Sequence, residues 1–229
     1  MFDARKTQGP LGFTLMEMAI VLGLIGAVLG AVWGASSHFR EQSRASKTLQ
    51  QVMQVVQNIR AYYVNAAGIL VVNAQGKHVA CADNADITST IATAQLLPAE
   101  MRNGANYISA SGGSFSVLCD NENCVGDQLT RFWITLTNLT PSACVKLLMG
   151  LPYKDSSLGV VKVFASTKSG ECLNPVAWAT SDNFLVRCDK NNDYGLCETG
   201  TPTTLQHAIE LCGNGGATSC VAWEFKLRN

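Results

Sequence analysis

The stretch GFTLMEMAIVLGLIGAVLGAV, residues 12–32, decides how the chain begins to fold. It overlaps an uncharged run over residues 18–37, and about 20 helical residues at ~1.5 Å each span a hydrocarbon layer of roughly 30 Å. Arg5 and Lys6 precede the run, so the positive-inside tendency predicts a cytoplasmic N-terminus and export of the remainder. Glu17 lies at the leading edge of this apolar segment, where a carboxylate usually has a partner and a function.

The helix is predicted to continue beyond the apolar run. No proline occurs between Leu11 and Leu97, so nothing in the sequence forces a break. After His38, apolar residues recur at steps of four and three, which is the spacing of one face of an amphipathic helix. These residues are Ala45, Leu49, Val52, Val56, Ile59 and Tyr63. Gly68 favours termination, and we predict one helix over residues 14–66, membrane-embedded first and half-buried afterwards.

The remainder of the chain mixes short helices with alternating strands. Residues 131–139 alternate as a strand does, and Thr140 as N-cap with Pro141 at the first helical position then opens a helix that runs to Gly150. Further predicted helices cover residues 86–97 and 203–213, and further predicted strands cover residues 114–119, 160–166, 175–180, 183–188 and 221–227. We therefore expect an α+β head over residues 68–229, with an antiparallel sheet laid on the stem helix.

Composition and motifs argue against several function classes. The formal net charge is zero, which gives no reason to expect a nucleic-acid partner. No GxSxG, HExxH or phosphate-loop pattern occurs, so we predict neither an enzyme nor a cofactor. Residues 189–195, DKNNDYG, imitate the opening of a calcium loop, but Tyr194 stands where Gly is wanted and Gly200 where a bidentate Glu is needed. An ordinary polar turn without metal is the prediction.

The nine cysteines all lie after residue 80. A chain that passes through a membrane and is then rich in cysteine indicates an oxidising compartment. The odd number leaves one thiol unpaired or paired between molecules. Structural zinc is disfavoured because no CxxC pair occurs, the four residues between Cys119 and Cys124 are a loose spacing, and the histidines lie far away.

The N-terminal stretch closely resembles the start of type IV pilins. In that family a dedicated peptidase cuts after a Gly that precedes the apolar run, the new first residue is N-methylated, and a Glu stands fifth in the mature chain. Gly12, Phe13 and Glu17 match these positions, with Thr14 and Leu15 between them. The resemblance implies a leader over residues 1–12, cleavage between Gly12 and Phe13, methylation of Phe13 and a role for Glu17 in assembly.

The same resemblance implies the type IV pilin fold and two successive cellular locations. Residues 13–37 would be the transmembrane and filament-core half of the stem, residues 38–67 its amphipathic half, and residues 68–229 the head. The implied partners are other copies of the chain, a prepilin peptidase and the pilus assembly machinery. Before assembly the chain would sit in the bacterial inner membrane with its head in the periplasm, and after assembly in an extracellular pilus.

Two segments of the head resemble one subgroup of that family in particular. NLTPSACVKLL places a Cys in a helix after a strand, and AIELC followed by VAWEF places one before the last predicted strand, as in the type IVb subgroup, where a disulfide ties such a helix to the C-terminal segment. The resemblance implies a Cys144–Cys212 bond, with Cys144–Cys220 as the alternative. Connectivity cannot be deduced from sequence, but short loops favour two more local pairs, Cys119–Cys124 and Cys188–Cys197.

Three alternatives to a pilus subunit stay open at this point. The first is a pseudopilin of a type II secretion system. The second is a membrane-anchored binding module that never polymerises. The third is a secreted, disulfide-rich enzyme released by signal peptidase near Ser36. Within the pilin reading, a major or a minor subunit and a role in adhesion, motility, conjugation or DNA uptake are all open.

Overall fold

A single long helix opens the part of the chain that the structure, a computed structural model, describes. The described residues are 14–64, 70–72, 78–80, 85–120, 131–150, 158–168, 170–173, 184–187, 205–213 and 218–227. Helix α1 covers Leu15–Tyr62 without interruption, 48 residues in all, so it ends four residues before the predicted end at residue 66. The chain divides into two compact units, Met1–Arg40 and Glu41–Asn229, and α1 from Glu41 onward belongs to the same unit as the head.

Within the first unit, the apolar part of α1 has no partner among the described residues. Leu15–Trp33 has a mean hydropathy of 2.3, none of it is buried, and it is long and apolar enough to cross a membrane. Leu15 is 89% exposed and Trp33 is 83% exposed. An apolar surface of this extent is unfavourable in water and requires a cover.

Within the second unit, α1 buries the stripe that the sequence predicts. Val52, Val56 and Ile59 are completely buried, and Ala45 and Tyr63 are nearly so. They belong to one apolar core with residues of the sheet, so the helix packs on the sheet through this face. The burial of these side chains holds the helix against the head.

The strands are short at the start of the head and longer in its main sheet. In chain order the described strands are β1 (Leu70–Val72), β2 (His78–Ala80), β3 (Arg102–Asn103), β4 (Asn106–Tyr107), β5 (Ser114–Asp120), β6 (Arg131–Leu139), β7 (Val160–Ser166), β8 (Phe184–Arg187) and β9 (Ser219–Lys226). Strands β1 and β2 form one hairpin and β3 and β4 another, while the main sheet has the order β5-β6-β9-β7-β8. Every pairing is antiparallel, which confirms the predicted α+β class.

Three shorter helices complete the described head. They are α2 (Thr88–Thr93), α3 (Pro141–Gly150) and α4 (Leu205–Cys212). Helix α3 has the predicted bounds, and the Thr140 hydroxyl accepts a hydrogen bond from the Ala143 amide at 3.3 Å, as an N-cap does. Helix α4 ends before Gly213, whose φ of 76° is the left-handed conformation that glycine adopts at helix ends.

Helix α2 is shorter than the predicted helix over residues 86–97. At its start, Asp86 forms a β-bridge with Leu118, and the Asp86 carboxylate accepts the Thr88 amide at 2.8 Å, so the helix begins only at Thr88. At its end, Gln95 has a φ of 58°, which breaks the helix before Pro98. The two small hairpins were not predicted, and the predicted strand over residues 175–180 lies outside the described residues.

Polar side chains of α1 hold the segment between α2 and β5. The Gln51 side chain donates to Glu100 Oε1 at 2.8 Å and accepts from the Ala110 amide at 3.0 Å. Lys47 Nζ lies 2.7 Å from Glu100 Oε2, and the Thr48 hydroxyl accepts the Ser111 amide at 2.9 Å. The polar flank of the helix is thus paired while its apolar face packs on the sheet.

Strand β6 is buried on both faces. Phe132, Ile134 and Leu136 belong to the core that contains α1. On the opposite face, Trp133 packs in a second apolar cluster with Phe164 and four smaller residues. Their companions in that cluster are Leu118, Cys172, Cys220 and Ala222. The sheet therefore separates two buried layers rather than exposing one face to water.

The packing of α1 on the sheet predicts the effect of Ile59→Ala. Ile59 is completely buried in the main core, so the truncation should lower the free energy of unfolding by about 2–5 kcal/mol through lost burial and a cavity. Thermal or denaturant unfolding of the full chain in detergent measures this. Leu205→Ala is the matched control because Leu205 is 58% exposed, and it should change stability by less than about 0.5 kcal/mol. Equal effects of the two variants would contradict the packing.

Candidate functional site

Thr14 and Glu17 form reciprocal hydrogen bonds across the first turn of α1. The Glu17 amide donates to Thr14 Oγ1 at 3.2 Å, and the Thr14 amide donates to Glu17 Oε2 at 3.3 Å. The Thr14 hydroxyl lies 3.4 Å from the same carboxylate oxygen. This reciprocal arrangement is a capping box, which satisfies two backbone N–H groups that the start of a helix leaves unpaired.

The capping box gives Glu17 a local role that the sequence reasoning missed. The signal was present, because Thr14 and Glu17 have the T-x-x-E spacing of the motif just before an apolar run. A carboxylate in a first helical turn is also favoured by the helix dipole. Gly12 and Phe13, the predicted processing residues, lie outside the described residues.

One described disulfide of the head joins two helices, and another joins a 3-10 helix to the sheet. Cys144 of α3 is bonded to Cys212 of α4, which is the pair that the resemblance implied. Cys220 of β9 is bonded to Cys172, so the structure does not have the alternative Cys144–Cys220 pair. The second bond links β9 to the short 3-10 helix Glu171–Leu173.

The Cys172–Cys220 bond was not predicted, because its partners meet only through the register of the sheet. Cys119 is also disulfide-bonded. Its predicted partner Cys124 lies outside the described residues, as do both members of the predicted Cys188–Cys197 pair. Those two local pairs remain predictions.

The two described disulfides meet at the start of β9. All four of their cysteines are completely buried. Cys144 Sγ lies 4.0 Å from the Cys220 carbonyl oxygen, and the Ser219 hydroxyl donates to the Cys212 carbonyl at 2.6 Å. One bond joins α3 to α4 and the other joins β9 to the 3-10 helix, and the hydrogen bond from Ser219 links the two at this corner.

Helix α3 is in turn attached to α1 by a charged contact. Lys146 Nζ lies 3.1 Å from Glu41 Oε2, and the Ser142 hydroxyl hydrogen-bonds the other oxygen of the same carboxylate. Glu41 is the first residue of the second compact unit. The head therefore holds its part of the stem both by apolar burial and by this anchor at the upstream end.

Four charged side chains are buried together on the face of the sheet that carries Trp133. Glu224 lies 3.1 Å from Arg131 Nη1 through Oε1 and 3.4 Å from Lys162 Nζ through Oε2. The register pairs Asp120 with Arg131 and Lys162 with Glu224, so neighbouring strands bring the four groups into one row. Each is at most 8% exposed.

Burial governs the protonation of Glu224. Removal from water, and after it the nearby Asp120 carboxylate, raise the pKa of the Glu224 carboxyl to about 8, although Lys162 and Arg131 act to lower it. The carboxyl of Glu224 is thus pushed towards its protonated form despite two adjacent cations. Glu224 contacts both cations directly, and Asp120 stands opposite Arg131 on the neighbouring strand.

The described residues offer no metal site. No group of three or more His, Cys, Asp and Glu side chains in the described ranges could hold an ion. Residues 189–195, where the sequence imitates a calcium loop, lie outside those ranges.

Comparisons with known proteins add little to the chain's own features. No protein-family model matches the chain, and no curated protein matches it. Among solved structures, it is similar to the crystal structure of TcpA, a type IV pilin from Vibrio cholerae El Tor biotype. The TM-score is 0.46 and the identity 14%, over 80% of this chain and 98% of that chain. A likeness this distant does not bear on function.

The fold and the helix start together define a class of protein. The chain is an α+β protein with an apolar, membrane-length helix at its start and an antiparallel sheet packed on the continuation of that helix. This is the architecture that the resemblance to type IV pilins implies.

The buried charged cluster predicts a pH dependence that Glu224→Gln should remove. A carboxyl whose pKa is raised from 4.5 to about 8 in the folded state binds more protons folded than unfolded, so its contribution to stability is present at low pH and declines as the pH rises through that interval. Glutamine mimics the protonated acid and does not titrate. The melting temperature of the wild type, relative to that of the variant, should therefore fall between about pH 5 and pH 8.

Asp120→Asn is the companion variant for this measurement. It removes a neighbour that raises the pKa of Glu224, so the fall should become shallower. A wild type that instead gains stability over Glu224→Gln as the pH rises would show that the ion pairs with Arg131 and Lys162 dominate.

Proposed function

We propose that this chain is a prepilin whose mature form, residues 13–229, polymerises into a type IV pilus. The observation that carries the proposal is a combination at the start of the chain. The motif of Gly12, Phe13 and Glu17 directly precedes a helix whose apolar segment, Leu15–Trp33, has no cover of its own. A surface filament with a role in adhesion, motility or conjugation is the function we infer.

The uncovered apolar surface dictates two successive environments for the helix. Before assembly, lipid of the bacterial inner membrane covers Leu15–Trp33, while the head lies in the periplasm. After assembly, the same side chains are covered by the stems of other subunits in the filament core. Because both environments are apolar, the transfer between them costs little hydrophobic free energy, and specific contacts must favour the filament.

Processing supplies one such contact. A prepilin peptidase cuts between Gly12 and Phe13, and the new amine of Phe13 is N-methylated but stays positively charged. In the filament the Glu17 carboxylate of one subunit lies near the Phe13 amine of another. An unpaired carboxylate in a dry core costs several kcal/mol, and pairing offsets much of that cost. A subunit docked in the wrong axial register would leave the carboxylate unpaired, so Glu17 selects the register.

The capping box is compatible with this role. A carboxylate has two oxygens and about four acceptor positions, and the described contacts with Thr14 use only Oε2. The capping box orients the Glu17 side chain back towards the start of the helix, which is where the amine is created. The pilus assembly machinery would then act on a subunit whose carboxylate is already positioned.

The closest alternative is a pseudopilin of a type II secretion system, which would share the motif and the helix. An anchored module that never polymerises would share only the apolar segment. Filament formation separates the pilin from that module, and long surface filaments separate it from a pseudopilin. A secreted enzyme is disfavoured because it leaves the motif around Gly12 without a purpose.

Cleavage after Gly12 is tested by the intact mass of the chain. The wild type should lose residues 1–12 and gain one methyl group, whereas Gly12→Val should remain full-length in the membrane because the peptidase must accept the side chain against the bond that it cuts. Leu11→Val, one residue further from the bond, is the matched control and should be cut normally. An uncut wild type would support the anchored module, and a mature end near Ser36 would support secretion.

The register role of Glu17 is tested by two variants with opposite effects on the helix start. Glu17→Gln removes the charge but retains a side chain that completes a capping box, while Thr14→Ala removes the cap and retains the charge. Filaments are counted by electron microscopy in cells that lack wild-type subunits.

If charge selects the register, Glu17→Gln should be cut and membrane-bound yet assemble at least about tenfold fewer filaments, which corresponds to about 1.4 kcal/mol. Thr14→Ala should assemble normally. The reverse result would reduce Glu17 to a helix cap and defeat the register hypothesis.

A further inference from the structure

The two described disulfides interleave along the chain. Their cysteines occur in the order Cys144, Cys172, Cys212 and Cys220, and the bonds join the first to the third and the second to the fourth. Neither bond joins neighbours in that order. The partners in each bond are separated by 68 and 48 residues respectively.

We propose that the head requires a thiol–disulfide isomerase as a folding partner, because its native disulfides interleave and are closed off from solvent once formed. The inference rests on the proposed function only in so far as the head must be exported to an oxidising compartment. It does not depend on whether the chain polymerises.

The order in which the cysteines appear during synthesis and export favours non-native disulfides. A chain folds from its N-terminal side as it appears, so Cys144 and Cys172 are exposed together before Cys212 arrives. The loop between Cys144 and Cys172 is less than half as long as the 68-residue separation of the native pair, and shorter flexible loops close at a smaller entropic cost. Cys212 and Cys220 are closer still along the chain, so the wrong pairs have the advantage at both ends.

Burial prevents a late correction. All four cysteines are completely buried in the folded head, so no external thiol reaches them there. Exchange must therefore take place before α4 and β9 have packed. The partner must recognise an unfolded segment that exposes apolar side chains, and it must present a reactive thiolate, which is the species that attacks a disulfide.

The exchange step needs no net oxidant, whereas closing the second native bond needs one. The isomerase thiolate attacks Cys172 Sγ of a wrong Cys144–Cys172 bond, which forms a mixed disulfide and releases the Cys144 thiolate. The Cys220 thiolate then attacks Cys172 Sγ, which forms the native bond and releases the isomerase thiolate. Cys144 and Cys212 close by passing two electrons and two protons to the disulfide of an oxidised dithiol carrier, which becomes a dithiol.

The test uses the full chain, exported in bacterial hosts that contain or lack a periplasmic disulfide isomerase. Free thiols are alkylated, and the disulfides are mapped on peptides produced without reduction. In the host that lacks the isomerase, the native pairing of these four cysteines should fall well below its level in the other host, since four cysteines alone allow three pairings and the chain has nine. Cys144–Cys172 and Cys212–Cys220 links should appear in its place.

The matched control is the double variant Cys172→Ala with Cys220→Ala. It removes the two cysteines that interleave with the Cys144–Cys212 bond and keeps the other five cysteines of the chain, so the yield of that bond should depend less on the isomerase than in the wild type. The reciprocal variant, Cys144→Ala with Cys212→Ala, tests the other bond in the same way. Peptide mapping reads bond formation directly and does not require that either variant folds.

Each result bears on the inference. Equal native pairing of the wild type in both hosts overturns the need for an isomerase and leaves the proposed function intact. A double variant that depends on the isomerase as strongly as the wild type overturns interleaving as the cause. A chain whose nine cysteines are all alkylated in both hosts was never oxidised, which overturns the exported location and this inference with it.

Discussion

The apolar face of α1 from Ala45 to Ile59, with Tyr63 just beyond the helix end, is the contact on which the rest of the head depends. Val52, Val56 and Ile59 form one core with the sheet, and the polar residues beside them hold the segment before β5. The same helix is apolar on every face in its first part and on one face only in its second. One continuous helix is therefore suited to two different environments. The change from an all-apolar to an amphipathic pattern marks where the first part ends and the second begins.

The second dependence is that of β9 on the elements around it. Its inner face contributes to the core with α1, and its outer face carries Glu224 among charged groups and Cys220 in a disulfide. Charges buried in this way add little net stability, since the cost of removing them from water offsets their attraction. They do constrain the register, because a shift of one residue would carry Glu224 to the opposite face. The disulfides fix the same strand covalently, so register and connectivity support each other.

Sequence reasoning succeeded where local chemistry determines the structure. The spacing of apolar residues in α1, the alternation in β6 and the cap formed by Thr140 before Pro141 are all read from neighbours along the chain, and the structure has each of them. The capping box of Thr14 and Glu17 is equally local, since its T-x-x-E spacing is visible in the sequence, but it was not predicted.

What could not be predicted depends on residues far apart in the chain. The Cys172–Cys220 bond depends on which strands are neighbours in the sheet. The burial of Trp133 requires a second apolar layer, which the sequence of β6 alone does not predict. The early end of α2 depends on a backbone conformation at Gln95 and on the bridge from Asp86 to Leu118. Tertiary context decides such details even where the local preference is clear.

The order of strands has a consequence for incomplete chains. Strand β9 lies between β6 and β7 although it follows β8 in the sequence. A polypeptide that stops before residue 219 would therefore lose the middle of its sheet and be left with two separate pairs, β5 with β6 and β7 with β8. Isolated two-stranded pieces are marginally stable at best in water. The head can therefore fold only after β9 has been synthesised, and truncated chains that lack β9 do not form the complete sheet.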